Sequence, residues 1–205
     1  MARGIRYDGP TLSGGDNTMA KVSLIGMSGS LRAGSFSNAI LATLRDHYAD
    51  RVDLQVYDLA PVPLYNQDFE GEKRPPVVKQ MLADIEAADG LVLCAPEFNH
   101  SIPGVLKNAI DWASRPAFAS VLAYKPVAIM ATSRGPLGGA RCLEHMKVAL
   151  DSCLSRVTLA REVIITAAET RIRDGRLVDE TCLSFATGAV DALLKEIALW
   201  GGAKS

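Results

Sequence analysis

The chain has 205 residues, 48% hydrophobic and 22% charged, with 22 Lys and Arg against 23 Asp and Glu. That length suits one ordinary domain with a full core, and a formal net charge of -1 gives no reason to expect a nucleic-acid or membrane-surface partner. The four cysteines, Cys94, Cys142, Cys153 and Cys182, form no CxxC pair, which argues against a zinc centre or disulfide framework and for a reducing, cytoplasmic setting.

No apolar run approaches the ~20 residues that span a bilayer. Residues 1–18 are glycine- and proline-rich with little apolar material, and read as a flexible extension or expression remnant. Met19-Ala20-Lys21 resembles a second start, so residues 19–205 are taken as a single domain.

Along that domain short apolar runs alternate with helical periodicity. Val22-Ser-Leu-Ile-Gly26 is a strand, and Phe36, Ile40, Leu44 and Tyr48 form one face of a helix. Leu54-Gln-Val-Tyr57 is a second strand, followed by a proline-punctuated loop and a helix marked by Val78, Met81, Leu82 and Ile85. Leu91-Val-Leu-Cys-Ala95 is apolar throughout, as a strand covered on both faces should be. Ile102, Leu106, Ala109, Ile110 and Ala113 predict a third helix ended by Pro116, and Val127-Ala-Ile-Met130 a fourth strand. Leu143, Met146, Leu150 and Leu154 mark the fourth helix, Val163-Ile-Ile165 the fifth strand, and residues 183–197 the closing helix. Five βα units in series predict a doubly wound, flavodoxin-like α/β fold, a five-stranded parallel sheet of order 2-1-3-4-5 with helices on both faces.

Ligands of such sheets sit beyond the carboxyl ends of the strands, near the reversal in strand order. The loops after strands one, three and four, residues 28–38, 96–101 and 132–139, are all rich in Gly, Ser, Thr or Asn. In the first, Gly29-Ser-Leu-Arg-Ala-Gly-Ser-Phe-Ser-Asn38, two glycines permit close backbone approach. Ser30, Ser35 and Ser37 offer hydroxyls, Arg32 a charged fork, and the next helix its free N–H groups. The plainer alternative is a serine capping turn. Ser35 stands where a Walker lysine would be, the G-x-G-x-x-G pattern is absent and the loop has no cysteine, which leaves a monophosphate held by hydroxyls and one arginine. In the second loop Phe98 is suited to border a planar heterocycle. Glu97 and His100 suggest acid–base work, but with no third partner legible a helix-flanking or solvated role is preferred. Lys107 and Asp111 read as a surface i, i+4 pair. Arg134 of the third loop is placed to meet a flavin, a nicotinamide phosphate or solvent.

Three blocks go further: Gly29-Ser-Leu-Arg-Ala-Gly-Ser-Phe36, then Pro96-Glu-Phe-Asn-His-Ser-Ile-Pro-Gly-Val-Leu-Lys-Asn-Ala-Ile-Asp-Trp-Ala-Ser-Arg-Pro116, then Gly138-Gly-Ala-Arg-Cys142. Together they resemble the NAD(P)H-dependent FMN reductase family, and within it the bacterial quinone, azo-dye and chromate reductases. The resemblance implies FMN bound at a dimer edge, its phosphate held by Ser30, Leu31, Arg32, Ser35, Phe36, Ser37 and Asn38. Pro96, Glu97, Phe98 and Asn99 would line the isoalloxazine, with Thr132, Ser133, Arg134 and Gly135 across from them. It also implies a homodimer or homotetramer passing hydride from NADPH or NADH through flavin N5 to small-molecule acceptors, with the protein orienting and tuning the cofactor. Ser37 stands where the family has Asn, a departure within the phosphate turn itself, though Asn38 follows directly. Phe98 and His100 stand where relatives have Tyr, and these lost phenolic hydroxyls bear on substrate preference more than on FMN. A flavodoxin-type electron carrier or a flavin redox sensor is the alternative, although such carriers are by resemblance strongly acidic.

Overall fold

A computed structural model describes residues 21–201; the extension at 1–18 lies outside the described residues. The order of elements is β1 (Val22–Ser28), α1 (Phe36–His47), β2 (Val52–Tyr57), α2 (Pro76–Ala87), β3 (Gly90–Pro96), α3 (Gly104–Ala113), β4 (Pro126–Thr132) and α4 (Ala140–Ser152). Then come β5 (Arg156–Val157), β6 (Val163–Ile165), α5 (Ala168–Arg171), β7 (Ile172–Arg173), β8 (Arg176–Leu177) and α6 (Glu180–Gly201).

The main sheet is parallel with the expected order, β2-β1-β3-β4-β5. It has six strands rather than five. β5 pairs with the first residues of β4, and β6 with its last three, so one edge position is shared by two short pieces separated by residues 158–162. β7 and β8 form a small antiparallel hairpin outside this sheet.

Alternation along each strand divides the core. Leu91, Leu93 and Ala95 of β3 and Val127, Ile129 and Ala131 of β4 pack with Met81 and Ile85 of α2, Leu106 and Trp112 of α3, and Leu143 and Met146 of α4. The intervening Val92, Cys94, Ala128 and Met130 face Ile40, Leu41 and Leu44 of α1 and Val190 and Leu193 of α6. Each large aliphatic side chain so removed from water contributes about 1.5–3 kcal/mol. Double coverage explains why β3 and β4 show no polar face.

Three helix boundaries differ from expectation for local reasons. α3 starts at Gly104, not Ile102, because Pro103 disfavours a helical residue before it. α4 ends at Ser152, and Leu154 turns the chain with φ +60°. α6 begins three residues early because the Asp179 carboxylate accepts the Cys182 N–H (2.8 Å), an N-cap bond. Among the described residues no helix is long and apolar enough to cross a membrane.

Candidate active site

β1, β3 and β4 are neighbours in the sheet, so their carboxyl ends meet: Ser28 pairs with Cys94, and Pro96 with Thr132. The chain moves to one side for β2 and to the other for β3, which places the reversal in strand order between β1 and β3. The three loops rich in small and polar residues therefore open on one edge.

The first loop is built by short-range bonds. Ser28 Oγ accepts the Ser30 N–H (3.2 Å), and Ser30 Oγ accepts the Arg32 N–H (3.3 Å). Gly29 has to lack a side chain: a Cβ there would lie 2.7 Å from Ala95 Cβ and 3.1 Å from Pro103 Cγ. Ser35 is the N-cap of α1, its buried Oγ accepting the Asn38 N–H (3.3 Å). The Phe36 and Ser37 amides are first-turn donors with no intrahelical acceptor. Arg32 folds back so that its guanidinium carbon is 5.3 Å from the Phe36 ring centroid; that of Arg134, from the third loop, is 5.6 Å from the same ring.

Ser37 does not present its hydroxyl to this opening. Its side chain is buried without a well-formed hydrogen bond among the described residues and lies beside the Cys94 thiol, which leaves its backbone N–H as the group it can offer. Ser28, Ser30, Leu31 and Asn38 form one wall of a cleft of ≈ 270 Å³ whose other wall is residues 56–60. The segment after β2 is fastened from α3. Asn108 accepts the Tyr65 N–H (2.7 Å) and donates to the Pro63 carbonyl (2.9 Å), which also accepts the Trp112 indole N–H (2.8 Å).

In the second loop Asn99 and His100 both have positive φ (49° and 64°) and form a two-residue turn. Phe98 and Ser101 exchange backbone hydrogen bonds of 3.1 and 3.0 Å across it. Ser101 Oγ meets His145 Nδ1 of α4 at 2.9 Å. Glu97 turns away from the turn's tip: its Oε2 accepts the N–H groups of Arg141 (3.0 Å) and Cys142 (3.2 Å) in the first turn of α4. That is a helix-flanking place, although the helix it flanks is one loop further on. His100 is exposed, and Lys107 pairs with Asp111 at 2.6 Å as expected.

The third loop leaves β4 at the buried Thr132, whose hydroxyl has no hydrogen-bond partner among the described residues. Ser133 Oγ accepts the Gly135 N–H (3.1 Å) and so tightens the turn. Arg134 is held from its other side by Glu169 (3.4 Å). Gly138 and Gly139 have φ of +61° and +97°.

Each loop also exposes one large apolar side chain: Leu31 (57%), Phe98 (55%) and Leu137 (55%). Hydroxyls, a guanidinium and free amides on one side, with apolar side chains on all three loops, suit a ligand with a phosphate and a flat aromatic part. Arg141, His145, Glu169, Asn108 and Trp112 support this constellation without having been singled out as site residues, since each acts across more than 30 residues of chain.

The buried cysteines are not part of this chemistry. Burial pushes the Cys94 and Cys142 thiols up to about 12, so neither is a nucleophile at neutral pH. Among the described residues no group of three or more His, Cys, Asp or Glu is placed to hold a metal ion.

Comparison with known proteins gives the same picture. The model of the family described as NADPH-dependent FMN reductase matches residues 22–170. The chain is 36% identical over 180 residues to an NAD(P)H-dependent FMN reductase of Pseudomonas aeruginosa, covering 87% of this chain and 95% of that one. It is 35% identical over 176 residues to a quinone reductase of Escherichia coli, covering 84% and 93%. Among solved structures, the flavoenzyme NAD(P)H:(acceptor) oxidoreductase FerB of Paracoccus denitrificans superposes with a TM-score of 0.76 at 31% identity, covering 86% and 97%. The matched span runs from the first residue of β1 through the third loop to α5. With all three loops inside it, this chain belongs to the NADPH-dependent FMN reductase family.

Proposed function

We propose that the protein is an FMN-dependent NAD(P)H:quinone oxidoreductase, and that the opening between the three loops is its flavin site. The observation that carries this reading is the convergence of the phosphate-type loop with Leu31, Phe98 and Leu137 at the strand ends. Ser30, Arg32, the side chain of Asn38 and the amides of Phe36 and Ser37 would hold the phosphate. The amides act at the positive end of α1, where an anion is favoured by about 0.3–1 kcal/mol before any direct contact is counted. Pro96, Phe98 and Asn99 would border the ring from one side, and Thr132, Ser133, Arg134 and Gly135 from the other. Thr132 fits this role because its buried hydroxyl has a hydrogen bond to give.

FMN, when bound, supplies hydride chemistry between a nicotinamide and an electron acceptor. The protein contributes fixed walls and donors, which is why no catalytic triad or metal cluster is needed. Leu31, Phe98 and Leu137 would offer apolar contacts to the flat part of the cofactor. The relatives named as quinone reductases support small quinones as the acceptor class. A flavodoxin-type carrier is disfavoured by the near-neutral charge of -1, in contrast to the strongly acidic balance of such carriers. We place the enzyme in the cytoplasm as a homodimer or homotetramer.

Purified protein should keep flavin absorption near ~370 and ~450 nm after desalting and oxidise NADPH with menadione as acceptor. Protein that binds FMN without turnover on any quinone would overturn the enzyme reading. Arg32→Ala removes one charge-assisted contact of about 1.5–3 kcal/mol, so the FMN Kd should rise about 10- to 150-fold. Unchanged affinity would mean that the loop merely caps α1.

A further inference from the structure

The N-cap residue of α4 is Gly139, which has no side chain with which to cap its own helix. We propose that Glu97 supplies this cap from the second loop, and that it is a positioning residue fixing the gap between the second and third loops rather than a proton donor or a flavin ligand. The proposal rests on the flavin-site reading above.

The geometry is specific. One carboxylate oxygen, Oε2, accepts both the Arg141 N–H (3.0 Å) and the Cys142 N–H (3.2 Å), second and third residues of α4. The other, Oε1, lies 3.6 Å from Arg141 Nη1. The Glu97 side chain is 12% exposed, against 46% for that of Arg141, so the carboxylate is enclosed while its cationic partner stays in water. A carboxylate at this place meets the positive end of the helix and two amides that would otherwise have no acceptor. Both oxygens are committed to α4, which leaves neither directed at a substrate.

The consequence lies in what the strut joins. Phe98 follows Glu97 directly, and its turn is stapled to α4 a second time by the Ser101–His145 contact (2.9 Å). Leu137 lies two residues before Gly139, and this stretch is wound tightly: the Gly138 N–H donates to the Gly135 carbonyl (3.3 Å) and the Ala140 N–H to that of Leu137 (3.0 Å). A Cβ on Gly139 would fall 3.7 Å from Glu97 Cβ and 2.9 Å from Ala131 Cβ, so the second loop lies directly against the start of α4. With Glu97 in place, Phe98 and Leu137 belong to one rigid unit. Without it, the second loop keeps of these two ties to α4 only the Ser101–His145 contact, while the third loop stays tied to residues 165–169 through Ser133 and Arg134.

Glu97→Gln and Glu97→Ala separate this role from acid–base chemistry. A glutamine carbonyl oxygen still accepts both amides, whereas alanine removes the cap. Hydrogen exchange on the peptide covering residues 133–145 should quicken at Arg141 and Cys142 in Glu97→Ala and stay slow in Glu97→Gln. FMN titration should show Kd raised about tenfold or more in the alanine variant, with a shifted flavin band, and within about threefold of wild type in the glutamine variant. Arg141→Ala, which keeps both amides, should bind FMN like wild type. Should Glu97→Ala not fold, Glu97→Asp, shorter by one methylene, carries the same expectations as alanine. Wild-type exchange and FMN affinity in the alanine variant would overturn the proposal. So would a glutamine variant with normal exchange and FMN binding that has lost turnover, since that is the signature of a proton-transferring carboxyl. A wild-type protein that takes up no FMN would instead remove the flavin reading, and exchange in the apoprotein would still decide whether Glu97 caps α4.

Discussion

Gly138 and Gly71 have nearly the same backbone torsion, φ +61° and +64°, in very different surroundings. An alanine at either position pays the left-handed penalty, about 1–2 kcal/mol, partly offset by about 0.4–1 kcal/mol of lost freedom in the unfolded chain. At Gly71 no atom of the described residues lies within 4 Å of the added carbon, so Gly71→Ala should cost no more than about 1.5 kcal/mol. At Gly138 the carbon would be placed 2.4 Å from Ile164 Cγ2, 2.8 Å from Thr166 Cγ2 and 3.3 Å from Thr166 N. Both methyls sit on Cβ of β-branched side chains, so only a costly χ1 change or a shift of backbone, which at Ile164 is paired to Ala131 of β4, could move them. Overpacking of this kind adds about 1–3 kcal/mol. Urea unfolding of the two variants should therefore differ by about 1–3 kcal/mol, or about 2–12 °C in Tm. Because torsion and chain entropy cancel in the comparison, equal destabilisation of the two variants would refute the contact argument.

Two further outcomes follow from buried groups. The Cys94 and Cys142 thiols, with an ordinary value of 9.0, are raised to about 12 by burial, helped at Cys94 by the Cys142 thiol and at Cys142 by the Glu97 charge. A raised folded-state pKa contributes stability that is complete below pH ~9 and is lost as pH climbs toward ~12. The urea midpoint should thus fall steadily from pH ~9 to ~11, and Cys94→Ala combined with Cys142→Ala should flatten the decline; a flat wild-type profile would contradict it. The buried Tyr48 hydroxyl is within 2.9 Å of both the Thr187 carbonyl and the Asp191 carboxylate, and burial with the Asp191 charge pushes its pKa up. Tyr48→Phe should destabilise by about 1–2 kcal/mol in the same assay, and a neutral substitution would show that α1 and α6 dock through apolar contacts alone.

What could be read from the chain and what could not divide along physical lines. Strands covered on both faces announce themselves as apolar runs, and α1 and α2 by period, so the sheet order and the three loops at its edge were within reach. β5 was not, because two residues, Arg156 and Val157, are too short to show alternation. The start of α6 was legible in principle, as Asp179 is a regular capping residue three before Cys182. Within the site, Arg32, Ser35 and the helix amides act over a few residues and are visible as a motif. The buried turn of Ser37 depends on the face of α1 that meets β3. The bond from Glu97 to α4 joins residues 44 and 45 apart, a distance over which no local pattern operates.

The fastening of the segment after β2 has a consequence for how the protein is made. Its backbone anchors, the Tyr65 amide and the Pro63 carbonyl, wait for Asn108 and Trp112, which follow by 43 and 49 residues. At ~5–20 residues per second, a ribosome takes about 2–10 seconds to supply them. The turns at Ser28, Ser30 and Ser35, closed by bonds between near neighbours, can take shape during that interval, whereas Gly29 still waits for Cys94 and Ala95. The stretch at Pro63 and Tyr65, next along the chain from the cleft wall at residues 56–60, is fastened only once α3 has left the exit tunnel, so neighbouring parts of one edge have different birth times.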